Sequence, residues 1–242
     1  VPAMVEKPLA GTPAEAEELV ALARSAGVVL QVGHIERFNP ALAALRESPI
    51  RPKFLSAERL STYTFRSTDV GVVHDLMIHD IDLVLSLIDA PARAVSAVGV
   101  SLFGDHEDVA DARIEFENGS VACLTASRAS YAASRKMRIW GAEGYASLDF
   151  AAKQATVVRP SNAFLAGDVD LEGVDLSQPS AVKEHLFGKV LRVDRVEPPT
   201  CDQLTLELQE FVDSVQGETA APRVDGAAGL EAVRLADRIV RN

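Results

Sequence analysis

The sequence predicts two architectures in series. Residues 1–36 read as the C-terminal part of a doubly wound parallel α/β sheet. Residues 37–242 read as an α+β unit, a mostly antiparallel, open-faced sheet with helices on one face. Three observations carry this. Residues 3–33 spell strand, helix, strand, the repeating unit of parallel sheets. Residues 72–88 form a helix apolar around most of its circumference, broken by one polar stripe. From residue 94 to 159, short alternating segments follow one another across turn residues, as a meander does.

Met4-Val5-Glu6-Lys7 is a strand stopped by Pro8, which cannot donate to a sheet ladder. Thr12 is placed to cap a helix over 14–26, with Pro13 at the first helical position and Glu15 completing a capping box. Leu19, Leu22 and Ala23 share the face expected to turn inward, and Gly27 ends the helix. Residues 28–33 are nearly all apolar, as strands covered on both faces tend to be. Asn39-Pro40 opens a short helix over 41–47, and 53–64 reads as a strand. After the striped helix come strands at 94–103 and 110–116, then an Asn118-Gly119 hairpin turn into 120–127. Strands at 136–140, 145–150 and 154–159 continue the meander, with Gly141 to Gly144 as a turn. Residues 161–180 are polar and Gly-containing and read as a long surface loop. Two amphipathic helices, 201–215 and 229–241, close the chain.

With 242 residues and 48% hydrophobic content, the chain can bury a substantial core. A net charge of −11 argues against a nucleic-acid or membrane-surface partner. Cys123 and Cys201 are too few for a disulfide framework or a zinc ribbon and read as reduced thiols. No apolar run reaches membrane-span length and no signal peptide is recognisable, so a cytoplasmic protein is expected. Val1-Pro2-Ala3-Met4-Val5 runs straight into a strand without an initiator Met, so the chain is expected to be a fragment.

The striped helix carries the chemistry. At about 100° per residue, Asp75, His79, Asp82 and Ser86 fall within a sector roughly 60° wide, and Asp80 is the only other polar break after the first turn. Burying two carboxylates and an imidazole costs several kcal/mol unless they pair or face a wet cleft, so the strip resembles an active-site wall. His79 has the right acidity to take a hydroxyl proton near neutral pH. Asp75, one turn earlier, is placed to hold one ring nitrogen; a hydrogen-bonded core histidine is the bland alternative. His74 and His79 lie about 140° apart and cannot share an ion, and no further histidine or cysteine has ligand spacing, so no metal site is expected.

Glu6-Lys7-Pro8 ends a parallel strand, where ligands bind in open α/β sheets. Lys7 there can reach a substrate hydroxyl or a cofactor ribose, or be a surface lysine. Arg37, leaving the second strand on the same edge, is a candidate contact to cofactor or to an anionic substrate group, with a plain salt bridge as the alternative. Arg128, Arg135, Lys136 and Arg138 are the one basic concentration in an acidic chain. Alternation sets Lys136 and Arg138 opposite Met137 and Ile139, on a solvated, anion-binding or subunit-facing surface.

Glu6-Lys7-Pro8, the helix motif Asp75-x-x-x-His79-Asp80-x-Asp82 and the following sheet together resemble the Gfo/Idh/MocA oxidoreductases, over essentially the whole chain. The resemblance implies a Rossmann dinucleotide-binding domain followed by a substrate-binding and oligomerisation domain. It implies Lys7, Asp75 and His79 as the catalytic group and a cis bond at Lys7-Pro8. Glu6, Lys7, Pro8 and Arg37 would serve an NAD or NADP cofactor. Lys7, Asp75, His79 and Arg128 would serve the substrate. Met77 stands where relatives often have Gly. The glycine-rich phosphate loop of such a domain is not found in residues 1–242, which implies on the order of 100 residues upstream.

Residues 32–40 and 124–128 are similar to members acting on nucleotide-linked amino sugars, so the expected reaction is hydride transfer from a secondary alcohol of a sugar or sugar nucleotide. A homo-oligomer joined through the open sheet face is the expected assembly, as in relatives. A non-catalytic sugar-binding or assembly module is the rival reading, and a metal-assisted lyase or hydrolase using His79 and Asp82 is a third.

Overall fold

The computed structural model describes residues 1–64, 69–169, 174–175, 177–196 (196 by its backbone) and 202–242. β1 (Ala3–Glu6) and β2 (Leu30–Gly33) pair in parallel from Ala3↔Leu30 to Glu6↔Gly33. They are joined by α1 (Pro13–Ser25), where Thr12 and Glu15 form both bonds of the capping box. Gly27, at φ +61, takes the left-handed turn after the helix that a side chain disfavours. The inward face of α1 differs from the expected one. Leu19 and Leu22 are 38% and 65% exposed, while Ala16 is buried and Val20 and Ala23 are half-buried. The reason is the partner: α1 rests on α7 (Gly226–Val240), and small residues at i, i+4 and i+7 allow that close seat.

Helices cover both faces of this Rossmann-like unit. On one, α7 approaches so closely that a Cβ on Gly229 would stand 2.5 Å from a Val32 methyl. On the other, Gln31 Nε2 donates to the Glu207 carbonyl oxygen of α6 (Gln203–Gln216). Val32 N also donates to Val224 O, so residues near the far end of the chain complete the βαβ unit.

A 3₁₀ turn (Ile35–Phe38) and α2 (Pro40–Arg46), capped by Asn39, lead to β3 (Phe54–Leu60). A π-helical turn (Val73–Met77) runs into α3 (Ile78–Leu87). β4 (Ala92–Val100), β5 (Val109–Phe116), β6 (Val121–Ser127), β7 (Ser134–Gly141), β8 (Gly144–Asp149) and β9 (Gln154–Pro160) follow as expected, but as two antiparallel runs, β4-β5-β6 and β7-β8-β9, with β3 inserted between them instead of one continuous meander. Asn118-Gly119 turns the β5–β6 hairpin, with Gly119 at φ +75.

The polar stretch after 160 is not simply a loop. It holds α4 (Asn162–Leu165), one turn capped by Ser161, and the start of α5 (Pro179–His185). A second π turn (Leu186–Val190) and an edge strand, β10 (Leu191–Val196), follow. Parts of the expected loop (170–173 and 176) and Cys201 lie outside the described residues.

The large sheet has the order β10-β9-β8-β7-β3-β6-β5-β4; β3 and β6 run parallel and every other neighbouring pair is antiparallel. α2 lies over β8 and β9, α3 over β3 and β6, and α7 over β4. Leu55, Ile114, Leu124, Met137, Ile139 and Leu148 pack beneath them, fully enclosed. The opposite face carries one apolar row across six strands, in register: Val121, Phe54, Trp140, Tyr145, Val158 and Val193. All six are at least partly exposed; Trp140 stacks on Phe54 at 5.2 Å and meets Tyr145 at a tilt, 5.3 Å between centroids. No helix among the described residues is long and apolar enough to cross a membrane.

Candidate active site

The π turn decides where Asp75 points. Its i→i+5 bonding is wider than an α turn, so the regular wheel that aligned Asp75 with His79 does not hold across residues 73–77. Asp75 instead meets Lys7. The Lys7 ammonium donates to the Asp75 backbone carbonyl at 2.6 Å and to Asp75 Oδ1 at 3.2 Å. Lys7 follows the last residue of β1, and its bond to Pro8 is cis, as the resemblance implied. No hydrogen bond joins Asp75 to His79 among the described residues; the expectation that this acid holds the ring is corrected.

His79 stands half-buried on the first turn of α3. Its Nδ1 is enclosed without a hydrogen-bond partner, whereas Nε2 is not. Burial pushes the imidazole well below its usual 6.5, and the positive charges of Arg59, Lys7 and Arg135 add to this. The ring is therefore neutral at neutral pH, as a proton acceptor must be. The ammonium of Lys7 acts on His79 and His34 alike, so strand end and helix share one electrostatic environment.

The rest of the polar strip pairs internally. Asp82 accepts a two-point fork from Arg37, at 2.7 Å from Nε and 3.0 Å from Nη2. Asp80 accepts a second fork from Arg59 at 2.8 and 2.9 Å, and Arg59 also reaches Glu36 at 3.0 Å. Burial raises the Asp80 carboxyl, with Arg59 opposing it. Burial works against the charge of Arg59 too, but Asp80 and Glu36 more than offset it. Ser86 donates to the Leu83 carbonyl. Asp82 and Ser86 thus act as structural clamps within the strip.

Two expected contacts change character. Arg37, anticipated at a cofactor or anionic group, is buried and its fork is committed to Asp82. Arg128, anticipated at the substrate, is buried against Asp108 at 2.6 Å and donates to the Val70 carbonyl. Lys136 and Arg138 lie on the open sheet face, where Glu58 and Asp149 stand opposite Lys136 on the flanking strands. Arg135 lies on the other face, exposed, with its charge reaching His79 and Asp80. Glu6 ends β1, and its carboxylate lies against Gly33, where a Cβ would come within 2.9 Å of Oε2. No cluster of three metal-ligating side chains occurs among the described residues.

Sequence reasoning missed three groups. Arg59 sits at an inward position of β3, after Leu55 and Ala57, and a charge in that register is a legible sign of a buried partner. His34 directly follows a buried strand, and both its ring nitrogens are enclosed without partners. Glu207 is 1% exposed on a helix whose leucines face outward; burial, then Glu6 and Glu210, raise its carboxyl to about 7. Only the three-dimensional packing reveals that last environment.

Residues 48–147 match a family model described as the GFO/IDH/MocA C-terminal domain, and residues 1–34 match one described as an oxidoreductase family with an NAD-binding Rossmann fold. UDP-N-acetylglucosamine 3-dehydrogenase of Acidithiobacillus ferrooxidans is 37% identical over 202 residues, 82% of this chain and 64% of that protein. The chain therefore spans less than two thirds of that curated relative. A solved structure of the same enzyme, GnnA, superposes on all of this chain and 71% of its own length, with a TM-score of 0.84 and 32% identity. Levoglucosan dehydrogenase in complex with NADH and L-sorbose superposes over 98% of this chain and 70% of its own at a TM-score of 0.79; at 18% identity it speaks for the fold alone.

Proposed function

The chain belongs to the Gfo/Idh/MocA family of oxidoreductases, and on that premise we propose that it serves the oxidation of a secondary alcohol on a sugar or sugar nucleotide, with NAD or NADP as partner. The observation that carries this reading is the double hydrogen bond from Lys7 to Asp75. It brings the end of a parallel strand and the turn before His79 to one place, beside an imidazole kept neutral.

The residues present fit the reactive end of such a cofactor. Lys7 and Pro8 stand at the carboxyl end of a parallel strand, where open α/β sheets take their ligands. Glu6 and Pro8 flank Lys7 and would serve the same group. A nicotinamide cofactor supplies the hydride acceptor when bound. His79 accepts the hydroxyl proton at Nε2, its Nδ1 being sealed inside. Two of the three Lys7 N–H bonds go to Asp75, which leaves one for the substrate oxygen, whose developing negative charge it steadies. Asp75 thus acts by aiming Lys7. Arg37 acts at a distance, by holding Asp82 and α3 in place. Arg128 holds Asp108 rather than a ligand, and the exposed Arg135 is the better placed cation for an anionic substrate group.

In this reading residues 1–36 serve the cofactor and 37–242 the substrate and assembly, in the cytoplasm. The apolar row on the sheet favours a homo-oligomer joined through that face. The amino-sugar nucleotide is the substrate class favoured by the relative at 37% identity. The test follows NAD⁺ and NADP⁺ reduction by the full-length protein with UDP-N-acetylglucosamine. His79→Ala should cut turnover at least about a hundredfold with cofactor binding retained. Unchanged turnover removes His79 from the chemistry.

A further inference from the structure

Beside His79 lies a second imidazole that the proposed reaction does not use. His34 is 1% exposed, and neither of its ring nitrogens has a hydrogen-bond partner. Its ring meets that of His79 edge to face, at 90° with centroids 6.2 Å apart. With Nδ1 of His79, three enclosed nitrogens without partners belong to two neighbouring rings. A buried polar atom left unmade costs on the order of 1–3 kcal/mol, so three in one contact call for an occupant or a role.

The acids of the 3₁₀ turn, the π turn and α3 are already engaged, and Glu6 is exposed at the end of β1. Asp75 holds Lys7, Asp80 holds Arg59 and Asp82 holds Arg37. Glu36 takes Arg59 on one oxygen and Asn39 on the other. A ring nitrogen lies about 1.2 Å from its centroid, so even two facing nitrogens stand beyond direct hydrogen-bond reach. They remain within the span of one bridging water.

We propose that His34 is the positioning residue of His79: through one ordered water it takes the Nδ1–H of His79, fixing the tautomer whose Nε2 lone pair faces the substrate. The water accepts from His79 Nδ1–H and donates to a lone-pair nitrogen of His34, so no net charge enters the core. Burial first, with Arg37 and Lys7 adding, lowers the His34 basicity against the pull of Asp82 and Glu6. That keeps the required lone pair available. The same task is commonly given to a carboxylate or carbonyl beside an active imidazole, and here Lys7 has claimed the carboxylate four residues before the ring.

This inference rests on the reading of His79 as the proton acceptor, but its test needs neither cofactor nor substrate. Long-range ¹H–¹⁵N spectra of the chain labelled at histidine report the tautomer of each ring. Wild type should show His79 protonated at Nδ1, with a cross-peak from that proton to bound water. His34→Phe should let the two His79 nitrogen shifts move toward a common average. His34→Gln, whose carboxamide oxygen accepts, should restore their separation. A wild-type ring protonated at Nε2 overturns the assignment even if His34→Phe does not fold. So does a tautomer unchanged in His34→Phe. If these spectra come out as expected while His79→Ala leaves turnover intact, the dehydrogenase reading fails and the pairing of the two rings stands.

Discussion

The ammonium of Lys7 donates to both the main chain and the side chain of Asp75, 68 positions away. The accepting carbonyl lies within the π turn, Val73–Met77. The two contacts are separable by mutation. Asp75→Ala removes the carboxylate and keeps the carbonyl, so turnover should fall only about tenfold, whereas Lys7→Met should cost at least about a hundredfold. Steady-state kinetics of the two variants check this order; equal losses would mean that Asp75 does more than aim the lysine.

His79 should set an acid limb on the rate profile well below pH 6.5, since burial and the positive charges of Arg59, Lys7 and Arg135 disfavour its protonation. The linkage has a definite sign. A histidine whose folded-state basicity is lowered contributes stability above its unfolded value of 6.5, and loses it as pH falls below that value. An imidazole titration by NMR that places His79 at or above 6.5 contradicts this.

Glu207 should act in the opposite direction. Burial and the charges of Glu6 and Glu210 raise its carboxyl from 4.5 to about 7. Its neutral form therefore favours the fold below 4.5, and that contribution is lost as pH rises through about 7. Glu207→Gln, fixed in the neutral state, should be more stable than wild type at pH 8 by up to about 3 kcal/mol. The gain should shrink toward zero near pH 4.5. Urea unfolding at the two pH values measures it.

The Arg37–Asp82 fork is buried on both sides. Asp82→Ala strands a guanidinium and should cost about 3–5 kcal/mol, while Arg37→Met combined with Asp82→Leu should cost far less. Denaturant midpoints for the single and double variants decide it. A double variant as unstable as the single one would mean that the pair organises α3 beyond its own charge balance.

Trp140 stands within the apolar row of the large sheet, between Phe54 and Tyr145. In the proposed assembly through this face, Trp140→Glu should shift the protein to monomer in sedimentation without unfolding the sheet, since the side chain lies outside the enclosed core. An unchanged sedimentation profile would remove this face from the assembly.

Much of this molecule was legible because the signals were local. Thr12 and Glu15 announce a helix start, Asn118-Gly119 a hairpin, and the alternation of 136–140 a strand with one inward face; each is settled by neighbours in the chain. The edge strand β10 went unread because its alternation is too short: Leu191, Arg192, Val193 and Asp194 alternate, but Arg195 stands where an apolar residue would continue the face.

Local order along the chain set the βαβ unit and the hairpins and put Asp75 and His79 on one helical segment, because periodicity, caps and turn residues act over a few positions. Tertiary packing chose which charge answers which. Asp75 turned to Lys7, Asp82 to Arg37 and Arg128 to Asp108, while His34 was brought against His79. Such pairings join residues far apart in the chain, and their strength comes from exclusion of water, which no short stretch of sequence can express.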